Sequence, residues 1–347
     1  MNIKEILYNK DSYSREEIIF LLNLSDSVEI DKLFQRAKEI RDSYFGKEIH
    51  LRGVIEFSNY CTQHCLYCGL REENLIIPRY RMSAEEILDT AKIIYNNGIR
   101  TIVLQSGEDS FFDTDLISYL IYSIKRQYDV AITLSLGQRG FDEYKTWKIA
   151  GADRYLLKHE SANPKLYSIY HKKAKLDERI QHLKFLKRIG YQIASGNMIG
   201  LPNQTVADIA DDILLCRELD VDMAAFGPFI PSINTPYQNM PAGDTLMTQK
   251  VMAVVRLVLK NVHIPATTAL DSIDDFGREK GLSAGANVIM PNFTPAPYRE
   301  NYLIYTNKRG INEDPLDIHS QIKSRIEALG HNISQSRGDS IKRSSSI

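Results

Sequence analysis

LRGVIEFSNYCTQHCLYC, residues 51–68, is the stretch whose reading decides the fold. It opens on a short apolar, β-branched run and ends in a loop that holds Cys61, Cys65 and Cys68. The same order recurs downstream: an apolar run, a polar loop, an amphipathic helix, then a glycine turn. The strand candidates are LRGVIEF (51–57), TIVLQS (101–106), VAITLSL (130–136), RYLLKHE (154–160), QIASGNMI (192–199), DMAAFGPFI (222–230), IPATTAL (264–270) and NVIMPNF (287–293). Their starts lie 23 to 50 residues apart, most of them near or above the roughly 30 that a βαβ unit needs. The helices between them carry start and stop signals. Ser83 and Glu86 form a capping box and Gly98 ends that helix. Asp177 and Thr205 are the expected caps of two later helices, and Gly151 and Gly285 end two others. Eight such units in series predict a closed (β/α)8 TIM-type barrel, an α/β fold, with an open doubly wound sheet as the runner-up.

Outward from the barrel, residues 1–50 have apolar positions at helical spacing (Ile18, Ile19, Leu21, Leu22, Leu33) and read as an N-terminal helical cap. The barrel is expected over 51–305 and a C-terminal cover over 306–330, with a helix within it. The tail 331–347, rich in Ser and Arg, is expected to be disordered. The 347 residues carry 43 basic and 44 acidic side chains, a net charge of −1, which argues against a general nucleic-acid binder. No apolar run approaches a membrane span, and the charged N-terminus is not a secretory signal, so a cytoplasmic location is expected.

Only four cysteines occur, and three fall within eight residues. A disulfide framework would spread them. At the end of the first strand, this loop lies on the C-terminal face where barrel enzymes place their chemistry. Three thiolates from one loop suit an iron–sulfur cluster with one iron left open to another ligand. The alternative is structural zinc, with His64, His50 or His159 as the fourth ligand. Cys216, on a helix, reads as a small buried apolar residue.

The C-x3-C-x2-C triad resembles that of the radical S-adenosylmethionine (radical SAM) superfamily. Tyr67 then matches the aromatic position whose backbone meets adenine. Ser106, Gly107 and Glu108 match the segment that binds the methionyl ammonium; alone, they would read as a helix-capping turn. The resemblance extends from about residue 45 to 305. RGVIEFSNYCTQHCLYCGLR, RYRMSAEEI, TIVLQSGED, AGADRYLLKHESANP, GNMIGLPNQT, FGPFIPSINTP, IPATTA and GANVIMPNFTPAPYR look like the HydE family, the radical SAM maturases of FeFe hydrogenase. Methylornithine synthase and biotin synthase are related families.

By this resemblance Ser135, Glu160 and Arg179 contact S-adenosylmethionine, with Arg179 forking a carboxylate and Glu160 taking an ammonium. Arg154, Lys158, Met223, Thr267, Thr268, Met290, Tyr302 and Tyr305 match positions lining the internal cavity. For the two methionines, core packing is the competing reading. The resemblance implies one 4Fe–4S cluster on Cys61, Cys65 and Cys68, S-adenosylmethionine as cofactor, and a 5′-deoxyadenosyl radical. It implies a small organometallic or amino-acid-like substrate, and other hydrogenase maturases and an electron donor as partners. Some family members carry a second cysteine triad near the C-terminus. The matching stretch here, KRGINEDPLDIHSQIKS, has none. The rival functions are a methylornithine synthase-like mutase and a non-catalytic metal-binding scaffold.

Overall fold

In the computed structural model, which describes residues 1–343, six strands pair side by side and all in parallel. They are Gly53–Ser58, Thr101–Ser106, Ala131–Ser135, Arg154–Leu156, Gln192–Ser195 and Met223–Ala224. Parallel neighbours need long crossovers. The helices Ala84–Asn96, Thr114–Gln127, Phe141–Ala150, Leu176–Arg188 and Val206–Glu218 supply them. Parallel bridges from Met223 to His263 and from Pro265 to Val288 carry the ladder onward. A bridge from Val54 to Asn292 returns it to the first strand. There the Val54 N–H donates to the Pro291 carbonyl at 2.9 Å, and the Phe293 N–H donates to the Val54 carbonyl at 2.9 Å. The circuit of eight segments therefore closes, and the open sheet is set aside.

Helix signals mostly hold. Ser83 and Glu86 form the capping box, and Thr205 with Asp208 forms another. Asp177 is not a cap: Lys175 occupies that position and Asp177 lies in the first turn, beside the helix's positive end. Two strands are shorter than their apolar runs. Both 192–199 and 222–230 break, and their outer halves, Met198–Ile199 and Gly227–Pro228, form a separate pair. At the break a side chain on Gly196 would meet the Ala225 carbonyl oxygen at 2.1 Å, so the backbones approach where only glycine fits. In the run 264–270, Thr267 caps the helix Thr268–Ile273 and ends the strand early.

The first 50 residues form the helices Ile3–Tyr8, Arg15–Leu22 and Ser27–Phe45. The strand Glu48–Leu51 then pairs with Val288–Ile289 and with Asn332–Ile333. The expectation of a disordered tail from 331 is corrected for the described residues. Beyond Ile333 the chain tucks under the N-terminal end of the barrel. Arg154 donates to the Asp339 carboxylate at 2.9 Å and to the Arg337 carbonyl at 2.6 Å. Gln192 donates to Asp339 at 2.8 Å and accepts from the Ser340 N–H at 2.9 Å. The tail lacks an apolar face, yet the barrel end presents buried donors that need acceptors, and the tail provides them. Residues 344–347 of the expected tail lie outside the described residues.

Two outcomes follow from this end of the barrel. Asp339→Ala leaves the buried Arg154 short of its anionic partner, and about 1–3 kcal/mol of stability should be lost. Denaturant unfolding measures that loss, and limited proteolysis should find new cleavage near 335–340. His50 faces the same buried cations: burial, then the charges of Arg52 and Arg154, push its pKa down to about 4. The unfolded imidazole titrates near 6.5, so the folded state binds fewer protons between these values. The stabilisation from neutral His50 is intact above about pH 6.5 and is lost as pH falls toward about 4, by about 3 kcal/mol. Unfolding curves at neutral pH and pH 4.5 should show that slope in the parent and a flatter one in His50→Asn.

Candidate active site

The loop after the first strand is held at both ends before its cysteines are placed. Asn59, fully buried, donates to the Pro78 and Asn301 carbonyls at 2.8 Å each and accepts from the Tyr80 N–H at 2.7 Å. Arg79 donates to four loop carbonyls: Asn59, Leu70, Arg71 and Asn74. The Gly69 N–H reaches the Ile304 carbonyl at 3.2 Å, which ties the loop to the segment that follows the last barrel strand. Asp109 takes a two-pronged contact from Arg81 and a hydrogen bond from Ser58 at 2.6 Å. Burial raises its pKa, and the Arg81 and Ser58 contacts outweigh that and hold the carboxyl below its ordinary value.

The second loop clamps the first. The Gly107 N–H donates to the Ser58 carbonyl at 3.1 Å, and the Thr62 N–H donates to the Glu108 carbonyl at 3.1 Å. The Glu108 N–H points at Cys61 Sγ, 3.4 Å away. The Glu108 carboxylate accepts from Gln63 Nε2 at 2.6 Å and from the Gln138 N–H at 2.9 Å. Glu108 therefore bridges the cysteine loop to the turn after the third strand.

Cys61, Cys65 and Cys68 line one side of a cavity of about 330 Å³ at the C-terminal ends of the strands. Tyr67, Ser106, Gly107, Glu108, Ser135, Glu160 and Arg179 line it too. Burial raises all three thiols, Cys68 to about 12. Thiolates here need a positively charged partner, which iron supplies. Among the described residues no three His, Cys, Asp or Glu side chains converge as ligands of one ion. Tetrahedral zinc needs that convergence, whereas a cubane gives each thiolate its own iron. His64 is instead held by Glu72 and Glu73. His159 is held by Ser195 and Asp212. The donor set fits an iron–sulfur cluster.

Across the cavity, Glu160 sits in the left-handed region at φ 64°. Its Oε2 is buried without a hydrogen-bond partner. Burial raises its pKa against the pull of Lys158 and Arg179. An unpaired carboxylate oxygen on a cavity wall is a cradle for an ammonium group. Arg179 is buried and held through Nε by the Tyr167 hydroxyl at 3.2 Å. Glu160 and Arg179 thus give the cavity an anionic and a cationic group beside those of Glu108 and Lys158, a pair suited to an amino-acid moiety.

Of the expected substrate contacts, Lys158, Thr267, Tyr302 and Tyr305 line the cavity. Lys158 Nζ lies 3.4 Å from the Asn197 carbonyl, and Tyr302 accepts from Gln105 at 3.4 Å. Arg154 and Met223 are corrected. Each begins its strand, so each lies toward the N-terminal end, where Met223 Sδ meets Arg52 at 3.3 Å. Thr268 and Met290 are not among the lining residues either; Thr268 opens a helix, and its neighbours Thr267 and Ala269 reach the cavity instead. Cys216 is fully buried, as expected. Gln63, Gln105 and His171 line the cavity without having been singled out in the sequence. Gln63 carries the signal of a polar residue in the loop after a strand; Gln105, inside the second strand, and His171, at the end of the helix Pro164–Tyr170, do not.

A side chain on Gly107 would meet the Tyr60 carbonyl oxygen at 2.2 Å and Cys61 Cβ at 2.7 Å. Gly107→Ala should therefore push the cysteine loop outward at a cost of about 1–3 kcal/mol. Reduced iron per chain after anaerobic reconstitution, with the helical circular-dichroism signal retained, is the expected result.

Comparison with known proteins agrees with this geometry. The family model of the radical SAM superfamily matches residues 55–216. The chain is 45% identical over 332 residues to the [FeFe] hydrogenase maturase subunit HydE of Thermotoga maritima, covering 95% of each chain. It is 31% identical to 3-methylornithine synthase of Methanosarcina acetivorans, over 91% of this chain and 89% of that one. The crystal structure of methylornithine synthase (PylB) has the same fold, with a TM-score of 0.84 over the whole of both chains at 24% identity. With a cysteine triad on a closed α/β barrel and a HydE relative matched across nearly its full length, the chain belongs to the radical SAM enzymes and, among them, to the HydE family.

Proposed function

We propose that this enzyme acts in assembly of the diiron subcluster of FeFe hydrogenase, on a cysteine-bound iron carbonyl cyanide unit delivered by a partner maturase. The observation that carries this reading is the cavity, which faces three cysteines toward an unpaired Glu160 and a buried Arg179. Cys61, Cys65 and Cys68 hold a single 4Fe–4S cluster. Held there, a reduced cluster would supply the single electron for reductive cleavage of S-adenosylmethionine.

The residues of the chain do the rest. Glu160 would take the methionyl ammonium and Arg179 the carboxylate, which orients the amino-acid end of the cofactor in the cavity. Ser106 and Gly107 would border the methionyl ammonium, Ser135 would contact the cofactor, and the Tyr67 backbone would meet the adenine. Glu108 holds the cysteine loop to the turn after the third strand, so Gly107 and its neighbours, rather than the Glu108 carboxylate, are left to meet the cofactor. Lys158, with Thr267, Tyr302 and Tyr305, meets an anionic substrate carrying a carboxylate. The closed barrel and the cover excludes water, which protects a radical from side reactions. A methylornithine synthase-like mutase is the second reading; the higher identity to HydE, 45% against 31%, favours the maturase.

Anaerobic reconstitution with iron and sulfide should give about four iron per chain. Reductive cleavage of S-adenosylmethionine should accompany it, and Cys65→Ala should lose both. A Cys65→Ala protein that keeps its iron would remove the cluster assignment. Turnover of an iron–cysteine carbonyl cyanide complex, with none of lysine, is the expected substrate result; turnover of lysine would replace the maturase reading with the mutase.

A further inference from the structure

His171 is unused by the reading above, yet its side chain reaches a cysteine sulfur of the loop from outside it. It caps the C-terminus of the helix Pro164–Tyr170, with its N–H on the Tyr167 carbonyl at 2.8 Å. The ring is buried. Nδ1 lies 3.3 Å from Cys65 Sγ, and Nε2 lies 3.1 Å from the Tyr67 hydroxyl. The Tyr167 ring stacks on it at 4.7 Å between centroids, with 23° between planes, and fixes the orientation. The Leu66 N–H donates to the Tyr170 carbonyl at 3.2 Å, so backbone and side chain dock the two segments together.

A sulfur that ligates iron is a thiolate and only accepts hydrogen bonds. A neutral imidazole has one donor nitrogen and one acceptor. With the donor at Nδ1 toward Cys65, Nε2 must accept, and the Tyr67 hydroxyl is there to donate. Only this tautomer satisfies both contacts; the other can donate from Nε2 to the Tyr67 hydroxyl oxygen but turns the Nδ1 lone pair toward the Cys65 thiolate.

We propose that His171 is a positioning residue for the cluster, donating from Nδ1 to Cys65 Sγ while Nε2 accepts from the Tyr67 hydroxyl, and that this hydrogen bond makes the cluster easier to reduce. A hydrogen bond to a ligating sulfur withdraws electron density from iron and stabilises the reduced state, one of the means by which a protein sets the potential of an iron–sulfur centre. The inference rests on the cluster reading given above. Tyr167 also accepts from Arg179, so one aromatic ring supports both the cluster's hydrogen-bond donor and the arginine opposite it.

The test is an EPR-monitored redox titration of reconstituted protein. At the parent's midpoint, His171→Leu should hold about tenfold less reduced than oxidised cluster, a shift of about 59 mV to lower potential for one electron. His171→Asn places an amide donor near the position of Nδ1 and should recover most of the difference. A Leu variant with full iron and the parent's potential overturns the inference while leaving the cluster reading intact. A parent without a cluster would end both. Should both variants lose iron, 15N-histidine labelling of the parent decides: a nitrogen coupling to the reduced cluster's spin supports the contact, and its absence overturns it.

Discussion

Two backbone hydrogen bonds at Val54 close the barrel, one to Pro291 and one from Phe293, and the site depends on that closure. In an open sheet the first strand would be an edge, and the cysteine loop that follows it would face solvent. Closed, the loop faces the ends of the fourth and fifth strands across the barrel mouth. This is why Cys65 and Glu160, 95 positions apart by their numbers, border one cavity.

Closure alone leaves two open ends, and later parts of the chain seal both. At the C-terminal end, Tyr302, Ile304 and Tyr305 enter the cavity wall. A buried ion pair between Lys308 and Glu56 holds that segment down, and Asn292 donates to the second Glu56 oxygen at 2.7 Å. At the N-terminal end, residues 337–340 answer the donors of Arg154 and Gln192. Buried ion pairs contribute little net stability against apolar replacements, but removing one partner strands the other. Both seals thus exchange stability for position.

The barrel was legible because eight apolar runs alternate with amphipathic helices, and a periodic pattern survives small errors at its edges. The cysteines stood out by their spacing, whereas Gly107, Glu160 and Arg179 stood out only through the family resemblance; the fold brings all of them to one cavity. Other features depend on contacts that no local pattern encodes. Arg154 carries the right charge for an anion, but it begins its strand and so points to the wrong end of the barrel. The tail has no apolar face and reads as loose, because its order comes from barrel residues more than a hundred positions away. His171 looks like one more residue in a Tyr- and Lys-rich turn until the fold brings Cys65 beside it.

Glu160 shows how the site is held ready. A non-glycine residue in the left-handed region costs of order 1–3 kcal/mol and persists only where its surroundings enforce it. Here they do. Glu160 bridges to Asn197, and its neighbour His159 hydrogen-bonds Ser195 at 3.0 Å while facing Asp212. Asp212, fully buried on the helix Val206–Glu218, also accepts from Asn197 and from the Ala162 N–H. The network fixes the backbone on both sides of Glu160, yet leaves its Oε2 without a partner. That oxygen is a standing cost in the free protein. An ammonium group placed there would remove that cost, so the unpaired oxygen, and not the backbone strain that is present in either state, would favour the loaded state over the empty one.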